Sequence, residues 1–205
     1  GATERERIGF VLEGGGIESD GAGTLLTTSA CLLSPGRNPA FSRAAIEQRL
    51  GELFGLQRVL WLEHGALEGD DTDSHIDTLA RFCDERTVAY VRCTDRDDAH
   101  FAGLEAMERE LRALRDARGE PYRLVPLPWP AAKHGRDGRR LPATYANFLI
   151  VNGAVLAPTY RDPADAGAWT LGASGDEADC SIVADLLPCD IGDITEGVRR
   201  SVTLT

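Results

Sequence analysis

The sequence predicts an α/β protein built from repeated ββαβ units, and three observations carry that prediction. Apolar strand-like runs recur with a period of about 65 residues, and internal repeats are the first pattern to test in any chain. Turn signals, Asp20-Gly21 and Asn152-Gly153, sit between paired apolar runs, where glycine takes a positive φ at no steric cost. Each pair is followed by apolar residues at helical spacing and then by one more apolar strand.

The first unit opens at Gly9-Phe10-Val11-Leu12, turns at Ser19-Asp20-Gly21-Ala22-Gly23 and returns as Thr24-Leu25-Leu26-Thr27-Thr28. Ser42 is a good N-cap for a helix with Ala45, Ile46, Leu50, Leu53 and Phe54 on one face, and Gly55 stops it. Arg58 to Leu62 reads as a buried strand. In the second unit Ile76 to Phe82 and Thr87 to Val91 pair. A helix runs from about Phe101 to Arg118 with Leu104, Met107, Leu111 and Leu114 inward, and Tyr122 to Leu127 closes the unit. In the third, Tyr145 to Val151 and Ala154 to Ala157 flank the turn, a helix covers about Ala164 to Leu171, and Cys180 to Val183 closes. Pro128 to Pro142 reads as loop. The expected modules are therefore about 8–62, 74–127 and 143–190 of one domain, with a divergent tail over 191–205. Such units bury their sheet faces only by stacking around a common axis.

Composition excludes several classes. The 205 residues carry 33 acidic and 22 basic side chains, a net charge of -11. That balance argues against a phosphate-backbone binder, so no nucleic acid is expected as partner. No apolar run reaches the ~20 residues that span a bilayer, and the start has no signal-peptide pattern. Five cysteines at irregular spacing, Cys31, Cys83, Cys93, Cys180 and Cys189, form neither a disulfide framework nor a C-x-x-C metal pair. They read as small buried residues in a reducing compartment, which points to the cytoplasm. No metal and no cofactor is expected.

Two strings can carry chemistry. Glu13-Gly14-Gly15-Gly16 places a carboxylate at a strand end beside glycines that let backbone approach a ligand. A glycine-rich turn with a solvated Glu fits the same string. It is not a phosphate loop, because no Lys-Ser/Thr follows. In Gly69-Asp70-Asp71-Thr72-Asp73-Ser74-His75-Ile76-Asp77, His75 and Asp77 stand two apart at the start of an expected strand, on one face of it. A histidine beside a carboxylate suits a general base with its orienter, or a proton shuttle beside a cation-binding group. Counted from Asp71, Ile76 and Phe82 fill the sixth and twelfth positions, where a calcium loop needs Gly and Glu. His64, His100 and His134 read as surface residues.

The sequence resembles agmatine deiminases, the bacterial branch of peptidyl-arginine deiminase-like proteins in the guanidino-modifying pentein superfamily. The resemblance rests on Leu12 to Glu18 with Asp20-Gly21, Leu25 to Thr28 through Leu32-Leu33, Gly36-Arg37-Asn38-Pro39, Val59 to Leu62, Gly69 to Asp77, and Tyr145 to Phe148 with Asn152-Gly153. They come in family order and cover about residues 8 to 190. The resemblance implies a pentein-type propeller of ββαβ modules, with about three of the usual five present. It also implies hydrolysis of agmatine to N-carbamoylputrescine and ammonia, a step of putrescine and polyamine biosynthesis. A Cys thiolate attacks the guanidinium carbon, a His acts as acid and base, and carboxylates bind the guanidinium. Carried over, His75 is the acid/base, Glu13 and Asp77 bind the guanidinium, Gly14 and Gly15 shape the wall, and Asn147 is structural. The implied partner is a small guanidino substrate, agmatine or arginine-like.

The sequence departs from the family in three places. The two modules that normally precede the Glu-Gly-Gly strand, with a further guanidinium-binding Asp, have no match. The expectation is a fragment, or a chain completed by a homo-oligomer or another chain. Ser74 replaces the Gly before the catalytic His. The glycine loop Gly-Gly-Gly-x-His-Cys-x-Thr finds its best match in Glu196 to Thr203, with Ser201 at the Cys position and Arg200 at the His position. Cys180 and Cys189 are the fallback nucleophiles. The expected function is thus an agmatine deiminase-like hydrolase incomplete or inactive in this chain, or alternatively a guanidino-binding or partner-binding module without catalysis.

Overall fold

A computed structural model of the chain describes residues 8–151, 154–166 and 189–190. Two three-stranded sheets of one topology organise it. In the first, β1 (Glu18–Ser19) pairs antiparallel with β2 (Thr24–Thr28), and β2 pairs parallel with β3 (Arg58–Leu62). The crossover between the parallel strands contains α1 (Ser29–Leu32) and α2 (Arg43–Phe54). In the second, β4 (Ala80–Asp84) pairs antiparallel with β5 (Thr87–Val91), and β5 parallel with β6 (Arg123–Leu127), across α3 (Phe101–Ala113). A parallel pair needs such a crossover, because its strands run the same way and a tight turn cannot join them.

Local chemistry sets the bounds of α2 where the sequence expects them. Ser42 accepts a hydrogen bond from the Ala45 amide, and Gly55 ends the helix at φ 68°. That left-handed C-cap suits glycine, which has no Cβ to clash. The helix α3 stops at Ala113, earlier than expected, and Leu114 turns to extended backbone.

One expected strand is not a strand and another starts late. Gly9 to Leu12 pairs with no strand among the described residues. Both backbone groups of Val11 are taken by the Asn38 side chain instead: its Oδ1 accepts from Val11 N–H at 2.9 Å, and its Nδ2 donates to Val11 O at 2.8 Å. Phe10 is still buried, edge-on to Phe41. The strand expected over Ile76 to Phe82 begins only at Ala80, because Ile76–Thr78 forms a 3₁₀ turn. Period-two strand geometry therefore does not align His75 and Asp77.

The third hairpin, Leu149–Val151 with Ala154–Leu156, is antiparallel and shorter than expected. Residues 164–166 are helical, and the rest of the helix expected to Leu171 lies outside the described residues, as does the strand at Cys180. The expected loop over Pro128 to Pro142 holds a small hairpin, Lys133–His134 with Arg140–Leu141. The sheets share one core: Leu26 and Leu62 of the first pack with Phe82, Val88 and Tyr90 of the second, with Ile76 of the 3₁₀ turn and with Tyr145 and Phe148. Glu18 stitches the sheets at their edge. Its carboxylate accepts from Arg81 Nε at 2.7 Å and from Phe82 N at 3.0 Å. Cys31 and Cys93 are free and buried, whereas Cys83 is disulfide-bonded, against the expectation that the cysteines stand alone. No helix among the described residues is long and apolar enough to cross a membrane.

Candidate active site

Two 3₁₀ turns meet to form the candidate site. The first covers Gly14–Gly16 and starts on Glu13 in extended backbone. Thr27 of β2 fixes it by donating its hydroxyl to Gly16 O at 2.7 Å. The second turn starts on His75 and contains Asp77. Thr28, the last residue of β2, fixes that one: its hydroxyl donates to Ser74 O at 2.8 Å and accepts from Cys31 N at 3.2 Å. One strand end therefore holds both turns and the start of α1.

Gly15 is where the turns touch. A Cβ built on it would lie 2.6 Å from His75 Nδ1 and 2.7 Å from Asp77 Oδ2. A Cβ on Gly14 would meet open space, so only Gly15 of the two expected wall glycines packs against the site. Gly15→Ala is expected to push both side chains outward while leaving the fold in place, because the obstructing atoms are side-chain ends. Thermal unfolding close to that of the parent, with altered His75 ring signals by NMR, checks this outcome.

Glu13, Cys31 and His75 also converge: a carboxylate oxygen, the sulfur and a ring nitrogen all lie within 4.8 Å of one another. Cys31 is a site residue that the sequence reading missed. It was legible only as one more small buried residue, and its approach depends on Gly16, whose Cβ would stand 3.0 Å from Sγ. Burial pushes the Cys31 thiol up to about 11, with Arg37 opposing.

Arg37 was legible as part of a motif but not by role. Its Nε donates to Glu13 Oε2 at 2.8 Å, one Nη to Asp73 Oδ2 at 2.7 Å and to Cys31 O at 3.2 Å, and the other to Thr72 O at 2.9 Å. Its side chain is 9% exposed. This guanidinium ties the acidic loop to the glycine turn. Its hydrogen bond holds the Glu13 carboxyl below the usual range, and it does the same to Asp73. Asp77 differs: burial raises its carboxyl, with the charges of His75 and Arg81 opposing.

The acidic loop is braced by Asp70, which accepts from Thr72 N, Thr72 Oγ1 and Ser74 N at 2.5–3.1 Å. Asp73 and Ser74 both sit at φ 61°, a left-handed conformation that costs L-residues about 1–2 kcal/mol. Ser74→Gly is expected to stabilise the chain by about 1 kcal/mol, the relieved strain less the added freedom of the unfolded chain. Urea denaturation measures it, and an unchanged or lower midpoint would contradict it.

Asn147 is exposed and contributes no hydrogen bond to this cluster. Ser201 and Cys180 lie outside the described residues. Cys189 is described only as backbone, in a short strand paired parallel with Pro158–Thr159. The arrangement can do two things chemically. Carboxylates on one side of a histidine attract a cation with N–H donors, and the histidine can pass a proton to or from it.

A family model described as Porphyromonas-type peptidyl-arginine deiminase matches residues 1–174. The agmatine deiminase of Stutzerimonas stutzeri is 38% identical over 177 residues, 78% of this chain and 48% of that protein. The agmatine deiminase of Pseudomonas aeruginosa strain LESB58 is 39% identical over 176 residues, with 78% and 48% covered. A solved C. jejuni agmatine deiminase, a Cys→Ser variant with substrate bound, superposes with a TM-score of 0.74 at 44% identity. That match covers 80% of this chain and 47% of the other. The chain thus spans about half the length of the relatives it matches.

Proposed function

The chain belongs to the Porphyromonas-type peptidyl-arginine deiminase family, and from that premise we propose that Glu13, His75 and Asp77 form the guanidinium-binding and acid/base part of an agmatine-hydrolysing site. The observation that carries this reading is the meeting of the two turns at Gly15, which sets His75 and Asp77 against the glycine backbone beside Glu13. The carboxylate of Asp77 takes the ligand's N–H groups. Glu13, whose Oε2 already holds the guanidinium of Arg37, offers its second oxygen. Where a thiolate is supplied to form the covalent adduct, His75 would donate a proton to the departing ammonia and then take one from the attacking water. The reaction also requires a thiolate to form the amidino-thioether.

In the 205-residue chain this site binds without turning over. Ser201 stands at the family's Cys position, and the thiol inside the cluster, Cys31, is buried and held protonated. The three-unit propeller architecture belongs to this same proposal.

Calorimetric titration with agmatine, and with putrescine as the analogue lacking the guanidinium, tests the reading. Agmatine is expected to bind and putrescine not. Asp77→Asn is expected to lower affinity about 10-fold or more, since hydrogen bonds to charged groups contribute ~1.5–3 kcal/mol. The raised Asp77 carboxyl must be ionised to bind, so affinity should fade on acidification sooner than for an exposed aspartate. Equal binding of the two amines, or binding indifferent to Asp77→Asn, would sink the reading.

A further inference from the structure

We propose that Glu13, Cys31 and His75 form a three-ligand site for a divalent cation of the zinc class. Their donor atoms already lie within 4.8 Å of one another. A tetrahedral zinc with bonds of about 2.0–2.3 Å needs its ligands roughly 3.3–3.7 Å apart. Glu13 can close that gap with its second oxygen, since its side chain is 42% exposed and Arg37 holds only Oε2.

A second observation points independently to a ligand. His75 Nε2 is buried and has no hydrogen-bond partner among the described residues. A buried polar atom without a partner is costly, and a neutral imidazole nitrogen is the commonest metal donor. The donor set decides the class of ion. Thiolate with imidazole and one carboxylate suits zinc and its neighbours, whereas magnesium and calcium prefer all-oxygen shells.

Charge and space agree with this. Arg37 engages only Oε2 of Glu13, which leaves the other oxygen for the ion. Asp73 offsets the Arg37 charge at 2.7 Å. On binding, the Cys31 S–H bond breaks, its proton leaves to solvent and a sulfur–metal bond forms, with no change of oxidation state. A water completes the fourth position on the exposed side of Glu13. No His/Cys spacing motif announces this site, which is why the sequence reading assigns no metal. The ion and a guanidinium would compete for the same Glu13 oxygen and for His75, so metal affinity is measured without agmatine and agmatine affinity without metal.

The test titrates the full 205-residue chain with Co²⁺ alone, in a phosphine reductant. A thiolate-to-cobalt charge-transfer band in the near ultraviolet is expected at one equivalent, together with the visible bands of a four-coordinate ion, and Zn²⁺ should bleach both. Cys31→Ser should remove the charge-transfer band. Because Cys31 is fully buried, Glu13→Gln at an exposed side chain carries the independent arm, weakening Co²⁺ binding about 10-fold or more. Absence of a thiolate band at millimolar Co²⁺, or a band that Glu13→Gln leaves unchanged, overturns the site.

Discussion

On the proposed reading, agmatine incubated with the 205-residue chain is expected to release ammonia at least about four orders of magnitude more slowly than with the agmatine deiminase of Stutzerimonas stutzeri, because without an activated nucleophile the covalent route is closed. The thiol beside His75 does not rescue it. Cys31 is fully buried and its thiol is pushed up to about 11. At neutral pH its thiolate fraction is therefore about one part in ten thousand, and only the thiolate attacks. Ser201 is weaker still, since an alkyl hydroxyl needs an adjacent base and Arg199-Arg200 supply none. On the proposed reading, what remains is binding by Asp77 and Glu13. An ammonia-release assay repeated on Cys31→Ala, Cys180→Ala and Cys189→Ala decides the matter. Turnover that disappears in one of these variants would place the nucleophile there.

Asp98→Ala is expected to cost about 3–5 kcal/mol, the usual penalty for removing one partner of a buried ion pair. Oδ1 of Asp98 accepts from His100 N at 2.9 Å and is 2.7 Å from His100 Nδ1. Oδ2 accepts from Trp129 Nε1 at 3.0 Å and from Arg140 at 2.9 Å. Asp98 and Arg140 are 14% and 15% exposed, so removal of the carboxylate strands a nearly buried guanidinium. The effect also reaches the candidate site. Nε2 of His100 accepts from Glu68 N at 2.7 Å, just before the loop that carries Asp70 to His75. His100 is thus a buried staple and not the surface residue that the sequence suggests.

The same carboxylate gives the pH dependence. Burial alone would raise Asp98, but the bonds from Arg140, His100 and Trp129 outweigh it and hold the carboxyl well below the usual range. A depressed carboxyl contributes stability above its unfolded pKa of about 3.9, and that stability is lost as pH falls through the folded value. Urea midpoints measured from pH 7 down to pH 3 should therefore fall more steeply at the acid end for the parent than for Asp98→Asn. Parallel curves would contradict this account.

The sequence by itself determined the features that depend on near neighbours. Ser42 and Gly55 bound α2 because a side-chain cap and a left-handed glycine act within one turn. Asp20-Gly21 makes the first hairpin for the same reason. The family was legible too, because Glu13-Gly14-Gly15-Gly16 and Asp70 to Asp77 are contiguous strings. Only the tertiary structure decided what spans long separations. Gly9 to Leu12 has the apolar pattern of a strand, yet Asn38 takes both backbone bonds of Val11 from 27 residues away. His75 and Asp77 share a site through a turn that Thr28 pins, not through strand alternation. Cys31 and Arg37 enter the site because β2 and α1 deliver them to its edge. Pattern along the chain reports which face is buried, but it does not report which polar group meets which. That depends on packing in three dimensions, where one hydrogen bond from a distant side chain outweighs a local preference of a fraction of a kcal/mol.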